Sequence, residues 1–313
     1  MGPKFDEMKL KQEYDKLKPF YKEMGENIKK SLEKILINND ISILGVSCRI
    51  KEFDSFLRKI ERKKYDNPFE EINDICGLRI IYFYPSDFRK ISDLIRFEFN
   101  VEEIVDNFDS KDPDRFGYLS NHFIVQLNER WLIHPLLRPL RGYKAEIQVR
   151  TVLMHAWADI SHQLIYKNEE NIPDHLKRRL NRISALFEIA DEQFDTLIEE
   201  KENYVKSIMN NDSLFDITQE LNIDSFSAFL DYIFPDRECS EEDNFDVLDS
   251  IQFFNKKNQY KDITFKELLE YYKEYEGIIM LEEKYSEETW NQADVLRRIM
   301  DMANKDYHDC LTA

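Results

Sequence analysis

The chain has 313 residues, 42% hydrophobic and 13% aromatic, which is enough apolar surface for a buried core. With 44 Lys+Arg against 62 Asp+Glu its formal net charge is -18, which argues against a general DNA-coating protein, since such a protein would be basic. No apolar run approaches the roughly 18 residues of a membrane helix, and the charged first thirty residues predict no signal peptide.

Residues 5–37 read as one long helix, with Leu10, Tyr14, Leu17, Tyr21, Ile28 and Leu32 at helical spacing. A strand over 42–50 and a short basic helix over 53–64 follow. The run 75–84 is the clearest strand, rich in β-branched and aromatic residues. A helix over 86–98 starts after Pro85-Ser86. Further strands are expected at 101–106, 118–127 and 143–150, with a polar loop at 109–117, and helices resume at 151–166 and 174–206. From 213 to 313 the pattern is of amphipathic helices only, for example 264–275 and 287–303. Charge divides the same way. Residues 1–180 carry 31 basic and 30 acidic side chains, whereas 181–313 carry 13 and 32. These readings predict an α+β domain over 1–206 and an acidic all-helical region over 213–313.

Cys48, Cys76, Cys239 and Cys310 form no C-x-x-C pair, which speaks against a zinc site or a disulfide framework and fits a reducing cytoplasm. There are only 7 glycines, where about 20 would be usual at this length, and neither of the glycine-rich phosphate loops occurs. Phosphates, if bound, must be held by side chains. The cations for this are Arg49 and Lys51 at the end of one strand, Arg58, Lys59, Arg62 and Lys63 on the helix after it, Arg79 inside the apolar strand, and Lys111 and Arg115 in the polar loop. Arg62 to Lys64 read first as a solvated helix face; Arg49 and Arg79 interrupt apolar strands and do not. Asp74, just before one strand, and Glu146, inside another, stand where hard oxygen ligands for Mg²⁺ are often found. On spacing alone each reads first as a solvent-facing acid of a half-exposed strand.

Five separated motifs taken together carry more. Asp74 followed by Ile75-Cys76-Gly77-Leu78-Arg79-Ile80, then Gly117-Tyr118-Leu119-Ser120-Asn121-His122, then Glu146-Ile147-Gln148-Val149-Arg150-Thr151, then Met154-His155-Ala156-Trp157-Ala158, and finally His162 with Tyr166-Lys167 resemble, in order and spacing over about 40–170, the synthetase domain of the RelA/SpoT alarmone synthetases. The resemblance implies a nucleotidyltransferase-like mixed β-sheet flanked by helices. It implies a cytoplasmic pyrophosphokinase that moves the β,γ-pyrophosphate of ATP onto the ribose 3′-hydroxyl of GDP or GTP to make (p)ppGpp. By the same resemblance Asp74 and Glu146 hold Mg²⁺ and Glu146 takes the hydroxyl proton. Arg49 and Arg79 flank the adenine, and Lys51 and Lys59 hold ATP phosphates. Tyr118 stacks on the acceptor base; Lys111, His122, Gln148 and Arg150 line the acceptor's ribose and phosphates; His155 lies at the guanine edge.

Leu119 and Asn121 depart from the family's usual pattern for guanosine acceptors, and Asp112 and Asp114 stand among the basic residues of the loop. The acceptors open on these residues are a guanine nucleotide, an adenine nucleotide, or the 3′ end of tRNA, as in toxic relatives. A non-catalytic nucleotide sensor is the alternative of another class, and the presence of both carboxylates and the main cations counts against it. The acidic region 213–313 is open to self-inhibition, to binding a protein regulator, or to a packing role in a homo-oligomer. No partner membrane is expected.

Overall fold

Asp6 begins the first helix by accepting from the backbone N–H groups of Met8 and Lys9, and from there the chain follows the periodicity of its apolar residues. The computed structural model describes residues 5–105, 121–164, 173–208, 215–257, 262–286 and 289–312. It divides into two units, Met1–Leu197 and Ile198–Ala313.

In the first unit the order is α1 (Glu7–Asn38), β1 (Ile43–Ile50), α2 (Phe53–Lys63), α3 (Pro68–Glu71), β2 (Cys76–Tyr82), α4 (Phe88–Glu98), β3 (Phe99–Val105), β4 (Asn121–Leu127), α5 (Glu129–Leu132), β5 (Ala145–Thr151), α6 (Val152–Leu164) and α7 (Asp174–Ile208). The elements lie within a few residues of the expected ones. The expected loop at 109–117 and the start of the expected strand at 118–127 fall outside the described residues. The strands form one mixed sheet in the order β1-β2-β5-β4-β3. Only β2 and β5 run parallel; the other three pairs are antiparallel.

The alternation of β5 states the logic of the sheet. Ala145, Ile147, Val149 and Thr151 are buried, while Glu146, Gln148 and Arg150 between them are partly accessible. Leu78 and Ile80 of β2 and Phe123 and Val125 of β4 share the buried face. Helix α1 joins the core through Tyr14, Met24, Ile28, Leu32 and Leu36. The tightest point is Gly25, where an added Cβ would run into Cys48 Sγ and lie 2.9 Å from Cys76 Sγ. Gly25→Val is therefore expected to destabilise the first unit by about 2 kcal/mol through overpacking. A denaturation midpoint unchanged from the parent would show that the thiols can move aside.

The carbonyl of Lys51 accepts from the Tyr14 hydroxyl, which ties α1 to the end of β1. At the opposite end of the sheet, Thr151 Oγ1 donates to the buried carboxylate of Asp191 at 2.6 Å, and Ser86 N donates to Asp195 at 2.9 Å. The first bond fastens α7 to β5 and the second fastens it to the turn between β2 and α4.

The second unit has its own core and, among its described residues, no strand. It holds α8 (Ile223–Ile233), α9 (Glu241–Lys257), α10 (Phe265–Ser286), α11 (Gln292–Ala303) and α12 (Lys305–Thr312). Tyr204 and Ile208, at the end of α7, belong to this core. Phe215, Phe229 and Phe265 form an aromatic triangle with centroids 4.8 to 5.2 Å apart. Two boundaries differ from the expected ones. The helix expected over 264–275 continues to Ser286, because Ile279 still reaches the core. The helix expected over 287–303 starts only at Gln292, because Asn291 caps it by accepting from Asp294 N at 2.8 Å. Among the described residues no helix is long and apolar enough to cross a membrane.

Candidate active site

The accessible face of the sheet is built by register. The parallel pairing of β2 with β5 sets Gly77 opposite Glu146 and Arg79 opposite Gln148. The antiparallel pairing of β1 sets Arg49 opposite Gly77 and Ser47 opposite Arg79. On the other side, β4 sets His122 opposite Gln148. Gly77 leaves the space between Arg49 and Glu146 open. A cleft of about 360 Å³ results, lined by Ser47, Arg49, Lys51, Ser55, Asp74, Arg79, Glu146 and Gln148 among others. The two carboxylates singled out in the sequence thus meet at one cleft, 72 residues apart in the chain.

Asp74 is held from two sides. Lys51 Nζ lies 2.9 Å from its Oδ2 and Lys59 Nζ 2.9 Å from its Oδ1. The second contact lacks hydrogen-bond alignment, so the buried Oδ1 has an ion pair but no aligned donor among the described residues. Of the basic residues on α2, Lys59 alone turns to Asp74. Arg58 folds back onto Asp54 O and Ser55 Oγ of its own helix, and Arg62 and Lys63 are exposed.

Glu146 is held by hydrogen bonds. His122 Nδ1 lies 2.9 Å from Oε1, and Gln148 Nε2 donates to Oε2 at 2.9 Å. An ionised carboxylate can only accept, which fixes the proton on Nδ1 of His122. Burial pushes the Glu146 carboxyl up, but His122, Gln148 and the nearby charge of Lys59 more than offset it and hold it below its ordinary value of 4.5. The family resemblance assigns His122 and Gln148 only to the acceptor. What it missed is their contact with Glu146, and Gln148 two residues along the same strand was the available signal.

At the far end of the cleft face, Arg79 Nη1 donates to His155 Nδ1 at 3.3 Å. Burial holds His155 below its ordinary value of 6.5; Asp159 opposes this, and the charges of Arg79 and Arg150 reinforce it. A neutral His155 is what an accepting Nδ1 requires. Asp159, one turn along α6 from His155, lies 3.9 Å from Arg79 and 3.8 Å from His155, and no sequence motif pointed to it. Burial and the neighbouring Arg79 charge hold the Arg150 guanidinium below its ordinary range. The buried Nε–H groups of Arg79 and Arg150 find no hydrogen-bond partner among the described residues. Two adjacent guanidinium groups with donors to spare suit a polyanion. Arg49 lines the cleft from β1. Lys111 and Tyr118 lie outside the described residues.

Among the described residues no group of three or more His, Cys, Asp or Glu is placed to hold a metal ion. Asp74 and Glu146 remain as a pair of oxygen donors on one cleft, which suits an ion that keeps waters and substrate oxygens as its other ligands.

Comparisons with known proteins agree with this geometry. The family described as "Region found in RelA / SpoT proteins" matches residues 48–171, a stretch that contains Arg49, Asp74, Arg79, His122, Glu146 and His155. The GTP pyrophosphokinase YjbM of Bacillus subtilis strain 168 is 33% identical over 158 residues, covering 49% of this chain and 70% of that protein. The GTP pyrophosphokinase YwaC of the same organism is 28% identical over 169 residues, covering 52% and 77%. Among solved structures, small alarmone synthetase 1 of Bacillus subtilis bound to its product pppGpp superposes with a TM-score of 0.51 at 27% identity, covering 60% of this chain and 98% of that one. Small alarmone synthetase 2 of Bacillus subtilis gives a TM-score of 0.52 at 25% identity, covering 60% and 98%. With its mixed sheet, its paired carboxylates and the extent of these matches, the chain belongs to the RelA/SpoT family.

Proposed function

We propose that this protein is an ATP-dependent pyrophosphokinase that transfers the β,γ-pyrophosphate of ATP to the ribose 3′-hydroxyl of GDP or GTP. The observation that carries this reading is the meeting of Asp74 and Glu146 on one cleft, with Lys51, Lys59, Arg79 and Arg150 around them. The hydroxyl oxygen attacks the β-phosphorus. The 3′-O–Pβ bond forms, the bond from Pβ to the α-bridging oxygen breaks, AMP leaves with that electron pair, and the hydroxyl proton goes to Glu146. A carboxylate held ionised by His122 and Gln148 is a weak base at neutral pH. Its contribution lies in being charged and fixed in direction.

The main barrier is the approach of an oxygen nucleophile to a polyanion, so fixed cations do most of the work. Lys51 and Lys59 hold ATP phosphates, and Arg79 with Arg49 takes the adenine side. Arg150 and His155 lie on the acceptor side, with Lys111 and Tyr118 as further acceptor ligands. Asp74 and Glu146 fit Mg²⁺: both are hard oxygen donors, and the buried Asp74 Oδ1 lacks an aligned hydrogen bond. When bound, the ion supplies neutralisation of the phosphate charge.

Incubation of the purified protein with γ-³²P-ATP and Mg²⁺, with GDP, GTP, ATP and deacylated tRNA offered in parallel, tests the proposal. Label appearing on a guanine nucleotide is the expected result. Label on tRNA or an adenine nucleotide alone would replace the acceptor, and no transfer to any of them would sink the reaction class.

His122→Ala tests the hydrogen bond to the base. Turnover is expected to fall by about tenfold to a hundredfold, the worth of one charge-assisted bond. The acid limb of the pH–rate profile is expected to move upward, since burial then acts on Glu146 without its main opponent. An unmoved limb would separate His122 from Glu146 in function.

A further inference from the structure

Helix α10 turns Leu268 and Ile279 into the core of the second unit. Its outer face is where hydrophilic residues are expected, yet Ile278, Leu281 and Tyr285 stand there at i, i+3 and i+7, 46%, 56% and 85% exposed. With Trp290, and with Glu282 and Arg298 joined by a bidentate ion pair, they line a groove of about 650 Å³ between α10 and α11. Contiguous exposed apolar side chains of this kind mark contact surfaces.

The main chain at Trp290 is held within the second unit. Its backbone carbonyl accepts from Arg237 Nη1 at 2.9 Å and its backbone N–H donates to Glu283 at 3.3 Å, while Arg237 and Glu283 are themselves paired. An aromatic side chain on a held backbone beside an aliphatic stripe is a usual form of a binding anchor. Trp290 also borders a larger cleft of about 900 Å³, whose lining includes Asp236, Glu238 and Glu276.

Charge selects the occupant. Residues 198–313 carry 28 acidic and 12 basic side chains, so a second copy would meet a strong like charge. We infer that the α10–α11 groove docks a cationic amphipathic helix of a partner protein, whose apolar stripe covers Ile278, Leu281 and Tyr285 and whose Lys or Arg residues face the acidic cleft. This inference is independent of the transfer reaction, because the groove lies wholly in the second unit.

The test uses the full chain and a fluorescent 18-residue helical peptide of Leu and Lys, with a Leu/Glu peptide of the same pattern as control. Anisotropy is expected to report salt-sensitive binding of the Leu/Lys peptide and at least tenfold weaker binding of the Leu/Glu one. The double variant L281S/Y285S changes two exposed residues and no charge, and is expected to weaken the Leu/Lys peptide at least tenfold. Ile278→Ser repeats that test should the double variant not fold. Equal binding to the folded variants would reduce the effect to adsorption on acidic charge and overturn the inference. Self-association of the parent in sedimentation, lost in the variants, would make a second copy the occupant and overturn it as well.

Discussion

Replacing Glu146 by Gln is expected to lower pyrophosphate transfer at neutral pH by about 10²–10⁴-fold, the range typical of a lost carboxylate base, while the protein stays folded. Gln is nearly isosteric and can still accept from His122 Nδ1. Its amide cannot hold the hydroxyl proton and carries no charge. Single-turnover measurement with saturating nucleotides checks the rate, and a thermal melt checks the fold. Turnover within about tenfold of the parent would remove Glu146 from the role of base. The same residue predicts a pH signature in stability. Its folded pKa lies below the ordinary 4.5, so the ionised form is favoured by folding. That contribution is fully present above pH 4.5 and is lost as pH falls through the folded value. The melting difference between parent and Glu146→Gln is therefore expected to shrink on acidification below this point.

Asp74→Asn is the second large effect. Turnover is expected to fall by about 10²–10³-fold, as when one preorganised charge at a reacting centre is removed. Binding should respond in the opposite sense. Asp74 occupies both Lys51 and Lys59, at 2.9 Å each, and so competes with phosphate oxygens for the same ammonium groups. With the carboxylate gone, ATP in the presence of EDTA is expected to bind several-fold more tightly, by release of an ion pair worth about 1 kcal/mol. Initial rates with Mg²⁺ read the loss of turnover, and calorimetry without metal reads the tighter binding. Weaker metal-free binding together with lost turnover would mean that Asp74 organises the lysines and does not compete with substrate.

The sequence made the strands of this site readable for a simple reason. A two-residue alternation of buried and partly accessible side chains runs through β5 and through β2 from Cys76 to Ile80, before Ile81 and Tyr82 are buried together, so Arg79, Glu146, Gln148 and Arg150 declare their face without any knowledge of neighbours. Asp74 could be placed at the mouth of a strand because the apolar run begins one residue later. The contacts of Glu146 with His122, and of Asp74 with Lys59, could not be read. They depend on the register of β4 against β5 and on the turn of α2 over the strand edge, both set by residues distant in sequence. Asp191 was hidden for the same reason: on α7 it is one acid among many until the sheet brings Thr151 to it. The late start of α11 shows the opposite limit, where a local signal, the capping Asn291, outweighs an apolar periodicity that extends further upstream.

The strand order has a consequence for how the protein is made. The last strand synthesised, β5, lies between β2 and β4. Until it leaves the ribosome, the two strands it will join present unpaired backbone edges. The growing chain must hold them apart from each other and from neighbouring chains, and a chain halted before Ala145 would have the hydrogen-bonding hunger of a sheet with a missing centre. Glu146, Gln148 and Arg150 arrive together, with one seven-residue segment. Below that length the polypeptide has neither a closed sheet nor Glu146, so a truncated product is aggregation-prone and inert at the same time.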